Sequence, residues 1–151
     1  MDTFTIKKLL KTYKCFKGVF PSDQLPYECP LPLNIIVNLD PSTKSVQHWV
    51  AISITSTGKG YYFDSFGLPP LVDNIFKFIN TKAYNGWTHN KFQIQNIRSS
   101  TCGNYCVFFI IIRCNDLEPK DLIRQFGYNT QENDDKMRKI FKNFSLVKNL
   151  S

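Results

Sequence analysis

The run CGNYCVFFIIIRC at residues 102–114 turns almost wholly apolar after its first turn and is bounded by polar segments on both sides. A stretch of that kind belongs in the interior, and periodicity alone admits either a strand or a helix. It is longer than an ordinary strand, and Ser99, Ser100 and Thr101 offer a capping residue just ahead of it. The sequence therefore predicts a buried helix beginning at Cys102. That start sets a thiol and Gly103 where polar chain gives way to the core.

The remaining residues read as a mixed α+β chain with no repeat, low-complexity tract or obvious linker. Phe4, Ile6, Leu9, Leu10 and Tyr13 fall roughly on one side of a short amphipathic helix over 2–14. GVFPSDQLPYECPLP (18–32) carries four prolines and reads as irregular with extended pieces. Ordered loops of that length in a compact domain are often functional. Strands are predicted at 34–40 (NIIVNLD), 48–56 (HWVAISITS), 61–66 (YYFDSF) and 91–95 (KFQIQ), with DPSTKS and TGKG as turns. Leu71, Ile75, Phe78 and Ile79 give helical periodicity to 71–84, and further helices fall at about 118–126 and 131–144. The simplest organisation of 151 residues is one domain over 1–151, long enough to bury a core.

Composition narrows the class. Hydrophobic content of 42% and charged content of 21% are those of a globular protein. No apolar run approaches the ~20 residues that span a bilayer. MDTFTIKKLLKTYKC lacks a secretory apolar core or small-residue cleavage site, so an intracellular protein with no membrane partner is expected. Cys15, Cys29, Cys102, Cys106 and Cys114 are odd in number and irregular in spacing, which argues against a disulfide framework and fits a reducing compartment. With no CxxC pair and two histidines, no metal site is expected. The net charge of +7 favours nucleic acid or an acidic protein surface. Basic residues gather at Lys7, Lys8, Lys11, Lys14 and Lys17 and again at Lys136, Arg138, Lys139, Lys142 and Lys148. With no arginine-rich block or nucleic-acid motif, non-specific DNA contact is expected rather than sequence recognition.

The chemistry centres on Cys102. A thiol reacts as the thiolate, and the first turn of a helix directs the positive end of the backbone dipole at the sulfur. Gly103 lets a substrate backbone approach without a Cβ in the way. A partner base is needed: His48 opens a strand beside Trp49, whereas His89 sits in the polar loop NGWTHNK and reads as a surface residue. Asp64, among the aromatics of YYFDSFG and near the end of a strand expected to pair with that of His48, can orient an imidazole. Acyl transfer also needs donors where charge develops on the carbonyl oxygen. Gln95 and Gln93 have the same chemistry, and spacing along a strand does not choose between them. Cys106 and Cys114 read as structural.

Together these residues resemble the adenovirus-type cysteine proteases, viral maturation endopeptidases distantly similar to the SUMO-deconjugating proteases. The matching elements are QHWVAI around His48, YYFDSFG around Asp64 and QNIRSSTCGNYC from Gln95 through Cys102. GVFPSDQLP also resembles the N-terminal segment of homologues in invertebrate DNA viruses and virus-like transposons of the Maverick/Polinton type. The similarity covers roughly residues 15–112. The family places a glutamine seven residues before its Cys-Gly, which selects Gln95. The resemblance implies a papain-like site in an α+β fold, with a central mixed sheet packed against helices and the nucleophile at a helix N-terminus. It implies Cys102 as nucleophile, His48 as general base and then acid, and Asp64 as the orienting carboxylate. Gln95 and the Cys102 backbone N–H would form the oxyanion hole. Trp49 and Gly103 would border a substrate cleft that accepts small residues such as glycine near the scissile bond.

The implied substrates are viral capsid or core precursors, cut in the host nucleus or the virion by a monomer. No cofactor is required by the sequence; an activating peptide or DNA is a family trait. No cysteine lies between Asp64 and Cys102, so a disulfide-linked activator of the adenovirus kind is not expected. An isopeptidase for ubiquitin-like modifiers is the nearest alternative. A catalytically inert basic scaffold or nucleic-acid-binding module is a more distant one.

Overall fold

Two neighbouring strands, β2 (Leu33–Asn38) and β3 (Trp49–Ile54), are buried at every residue, so both faces of their sheet must be covered. The computed structural model describes residues 1–44 and 48–149, with side chains described through 144. Five strands run in the order β1-β2-β3-β4-β5, the others being β1 (Phe16–Pro21), β4 (Gly60–Phe63) and β5 (Trp87–His89). β2, β3 and β4 form an antiparallel meander, while β1 and β5 join its two edges in parallel.

Strand alternation divides the core into two layers. Ile36, Ala51 and Phe63 face α3 (Cys102–Cys114), around which α1 (Thr3–Leu10), α4 (Pro119–Ile123) and α5 (Thr130–Asn149) are grouped. Ile35, Val37, Val50, Ile52 and Tyr62 face Ile75, Phe78 and Ile79 of α2 (Asp73–Lys82). α3 is apolar nearly all round because it packs on β3 on one side and on other helices elsewhere. Phe109 stacks on Phe63 with ring centroids 4.9 Å apart and planes within 6°, which ties the helix to the strand that carries the chain toward Asp64.

Several expectations are corrected. Residues 91–95 are not a strand; the fifth strand is Trp87–His89, inside the loop assigned to His89. The proline-rich stretch contributes the end of β1, and Pro21 is tolerated there because β1 is an edge strand. In α1, Ile6 and Leu10 are buried but Phe4 is exposed, and Leu71 precedes α2 and faces outward. The helix expected at 118–126 ends at Ile123. Cys15 and Cys114 form a disulfide between the approach to β1 and the end of α3, a pairing not expected from cysteine number and spacing, which argue against a disulfide framework. Ser45 of the expected turn, Gln47 of the QHWVAI motif and the side chain of Lys148 lie outside the described residues. Among the described residues no helix is long and apolar enough to cross a membrane.

Candidate active site

His48 immediately precedes β3 and Asp64 immediately follows β4. The antiparallel register, with Ala51 opposite Phe63, brings these flanking residues to the same end of the sheet. There His48 Nε2 lies 2.8 Å from Asp64 Oδ1. This contact leaves Nδ1 as the ring nitrogen available to another partner. The ring is clamped from one side by Phe66, stacked at 4.6 Å and 18°.

Asp64 is held as firmly as it holds His48. Its backbone N–H donates to Asn90 Oδ1 at 3.0 Å, and Asn90 Nδ2 donates to its carbonyl at 2.5 Å. The Phe66 N–H donates to Asp64 Oδ1 at 2.8 Å, and the Gly67 N–H closes the turn on the Asp64 carbonyl at 2.8 Å. Gly67 has φ +73°, and a Cβ there would stand 2.7 Å from the Phe92 carbonyl carbon, so the turn needs glycine for both conformation and space. The buried carboxylate itself is met by His48 and the Phe66 N–H, which stand in for water, while the Asn90 and Gly67 bonds fix its backbone.

Cys102 begins α3 and is 7% exposed. Burial raises its thiol pKa, but hydrogen bonding to His48, a backbone hydrogen bond from Trp49, the imidazolium charge and a backbone hydrogen bond from Gly103 together bring it below the ordinary thiol value. Burial works against a charged His48, yet Asp64 and Cys102, through hydrogen bonds and charge, raise its pKa to about 9. Each partner favours the ionised form of the other, as a thiolate–imidazolium pair requires. Cys106, one turn further, is fully buried with its thiol pKa pushed well up by desolvation first and then by the nearby charges of Cys102 and Asp64. A thiol pushed up by burial thus sits one turn from a thiol held down by its neighbours.

Gln95 is fully buried while Gln93 is exposed. The backbone N–H groups of Ile94 and Gln95 both donate to the Ser65 carbonyl at 3.0 Å; this fixes the segment although it is not a strand. The side chain of Gln93 turns to the Gln95 carbonyl at 3.0 Å. Gln95 Nε2 donates to the Ser99 carbonyl at 2.9 Å and to Ser99 Oγ at 3.2 Å, and its Oε1 accepts from Ser65 Oγ at 2.5 Å. Gln95, Cys102, His48, Trp49, Phe66, Ile97 and Ser99 share a cleft of about 310 Å³. A separate groove of about 840 Å³, lined in part by Tyr61, Trp87, Phe92 and Arg113, contains none of the four residues singled out for catalysis.

Trp49 is 2% exposed and its indole N–H donates to the Met1 carbonyl at 2.9 Å. Met1 also covers Gly103: a Cβ there would meet Met1 Cβ at 2.9 Å and Trp49 Cδ1 at 3.3 Å. Gly103 is therefore buried and, contrary to expectation, does not itself line the cleft, whereas Met1 does. Gly103→Ala should displace Met1 and lower kcat/KM by roughly 10-fold through KM, the scale of one misplaced methyl group in a binding site, which steady-state kinetics on a short peptide measures.

Sequence reasoning missed Asn90, Ser65, Ser99 and Met1. Asn90 and Met1 have no local signature, because each reaches the site from a distant part of the chain. Thr101 is the helix-capping residue, but its hydroxyl makes no cap hydrogen bond and goes instead to Asp134 at 3.0 Å. Among the described residues no group of three or more histidine, cysteine or acidic side chains is placed to hold a metal.

No protein-family model and no curated protein sequence matches the chain. Among solved structures, ChlaDub1 from Chlamydia trachomatis superposes with a TM-score of 0.56 at 16% identity, covering 95% of this chain and 78% of that one. The SUMO protease Ulp1, with its catalytic cysteine oxidised to a sulfinic acid, gives a TM-score of 0.48 at 17% identity over 82% of this chain and 70% of its own. The ASFV pS273R protease gives 0.49 at 25% identity over 67% of this chain; the match spans 40% of that protease's length. The ChlaDub1 superposition, at that identity, shows the fold. It is an α+β fold of the kind expected from the sequence, a mixed five-stranded sheet packed against helices.

Proposed function

We propose that the chain is a cysteine endopeptidase that cuts precursor proteins of a virus or virus-like element, near small residues such as glycine. The observation that carries the reading is the meeting of His48 with Asp64 at 2.8 Å, beside Cys102 and Gln95 in one cleft. Cys102 Sγ attacks the scissile carbonyl carbon, and the carbonyl π electrons move to its oxygen. His48 then gives its proton to the leaving amine as the C–N bond breaks, leaving an acyl-enzyme thioester. A water activated by the now neutral imidazole attacks the thioester, His48 keeps the proton it takes, and the C–S bond breaks to expel Cys102 as thiolate and release the acid, which restores the ion pair. The Cys102 backbone N–H and the Gln95 amide face the oxyanion, one Gln95 N–H exchanging its Ser99 contact for the substrate oxygen. Ile97, 77% exposed at the rim, offers apolar contact to a substrate side chain.

The natural setting proposed is the host nucleus or the virion, with capsid or core precursors as substrates and with the chain acting as a monomer. The test is cleavage of a peptide library by the purified chain, with and without DNA or candidate activating peptides, alongside labelling by a short peptide electrophile and by ubiquitin- and SUMO-based probes. Library cleavage and labelling of Cys102 by the short electrophile are expected. Fast labelling by a ubiquitin or SUMO probe alone would make the chain an isopeptidase, and neither cleavage nor labelling would leave a non-catalytic module.

A further inference from the structure

Asp134, on α5 and fully buried, takes no part in the chemistry described above. Its Oδ1 accepts from the Thr101 hydroxyl at 3.0 Å and from the Tyr105 hydroxyl at 2.8 Å, and its Oδ2 from the Asn96 N–H at 3.2 Å. A buried carboxylate is costly unless its lone pairs are filled, and three donors from the 96–105 segment fill them. The proton direction follows. Thr101 has one hydroxyl proton, and it goes to Asp134. In the 2.9 Å contact between Ser99 Oγ and Thr101 Oγ1, Ser99 must therefore donate. Ser99 Oγ is then left with lone pairs toward Gln95 Nε2, 3.2 Å away. At the other end of the amide, Ser65 Oγ donates to Gln95 Oε1. Protons thus point one way along the chain Gln95, Ser99, Thr101, Asp134. Only one flip state of the Gln95 amide satisfies both ends.

We propose that Asp134 is the positioning residue of the oxyanion donor, orienting the Gln95 amide through Thr101 and Ser99 while holding Asn96 and Tyr105 on either side of Cys102. Neighbouring Asn133 reinforces the same segment, its Nδ2 donating to the Ile94 carbonyl at 3.0 Å and to the Gly127 carbonyl at 2.8 Å. Helix α5 therefore carries a carboxylate and an amide that together hold the stretch between Ile94 and Tyr105. The inference rests on the cysteine-protease reading for its effect on turnover, but the orientation of Gln95 can be read without it.

Thr101→Val cuts the chain while leaving the other two Asp134 bonds, and Thr101→Ser restores the hydroxyl. Three measurements apply to each variant in the full chain: kcat and KM on a peptide, the rate of Cys102 alkylation by iodoacetamide, and the Gln95 side-chain amide resonances in a proton–nitrogen spectrum. For Thr101→Val, kcat should fall about 10- to 100-fold, as for a slightly misplaced catalytic group. KM and alkylation, which need no oxyanion donor, should stay within about twofold. The Gln95 resonances should move, and Thr101→Ser should recover both them and kcat. Asp134→Asn, which sets an NH₂ against one of the three donors, should shift the same resonances and lower kcat by at least as much, with a lower Tm. Unmoved Gln95 resonances in Thr101→Val would overturn the proposal, as would equal losses in alkylation and hydrolysis. If the wild-type chain hydrolyses no peptide, the protease reading fails, and the resonances alone decide the orienting role.

Discussion

Cys102→Ala is expected to abolish peptide hydrolysis, a fall on the order of 10⁶-fold as when a covalent nucleophile is deleted elsewhere, while the fold survives. Only the sulfur is lost from a site that already tolerates a small side chain, so the Tm should change little. The thiol at 102 should also be the most reactive of the three free cysteines, Cys29, Cys102 and Cys106. Cys106 is buried with a raised pKa, whereas the Cys102 thiol is held down by His48 despite its burial. In a Cys29→Ser background, iodoacetamide at mildly acidic pH should modify Cys102 and spare Cys106, as peptide mapping by mass spectrometry would read. Cys102→Ser should be nearly as inactive as Cys102→Ala. The oxygen does not form the anion half of an ion pair, and the poised imidazolium cannot accept its proton. Hydrolysis by Cys102→Ala at anything near the wild-type rate would remove Cys102 from the mechanism.

The sequence spoke most clearly where burial and chemistry coincide. The run after Cys102 had to be interior, and the helix beginning at Cys102 follows from its length and polar approach. His48 and Asp64 were legible because two β-rich segments separated by a turn form an antiparallel pair, and such a pair brings its outer ends together. Gln95 is ambiguous by alternation, which sets it on the same strand face as Gln93, and the expected strand at 91–95 does not form. The segment is instead pinned by the Ser65 carbonyl and by Asn133. Burial then separates Gln95 from Gln93, something two-residue spacing does not report. β1 and β5 escaped notice because edge strands can be short, polar or end in proline, and each gains its order from one partner. The Cys15–Cys114 bridge joins residues 99 apart in the chain, a separation at which spacing carries no pairing signal. Asp134 stands beside Asp135 with nothing in the sequence to set it apart; its burial arises only from tertiary packing.

Asp64→Ala is the second large effect, expected to lower kcat/KM by about 10³- to 10⁴-fold, the range seen when an orienting carboxylate of a triad is altered. Three losses combine. His48 loses its 2.8 Å partner at Nε2 and with it the fixed ring orientation, and the Phe66 N–H loses its acceptor. Burial, which already disfavours the imidazolium, is then opposed by Cys102 alone, so the His48 pKa must fall from about 9. The sign of the pH effect follows directly. The wild-type rate should rise as Cys102 ionises, at a pH below the ordinary thiol range, and should decline as His48 loses its proton near pH 9. In Asp64→Ala the alkaline limb should move toward neutral pH, because less stabilisation remains for the charged ring. Asp64→Asn should fall between the two. Its amide oxygen can still accept from the ring and hold its orientation, as in cysteine–histidine–asparagine triads, but the negative charge that raises the pKa is gone. The kcat/KM profiles of the three proteins, from pH 5 to 10, separate orientation from charge. An alkaline limb that stays near 9 in Asp64→Ala would mean that Cys102 alone sustains the imidazolium. A rate within tenfold of wild type would leave Asp64 with a merely structural part in the turn that Gly67 closes.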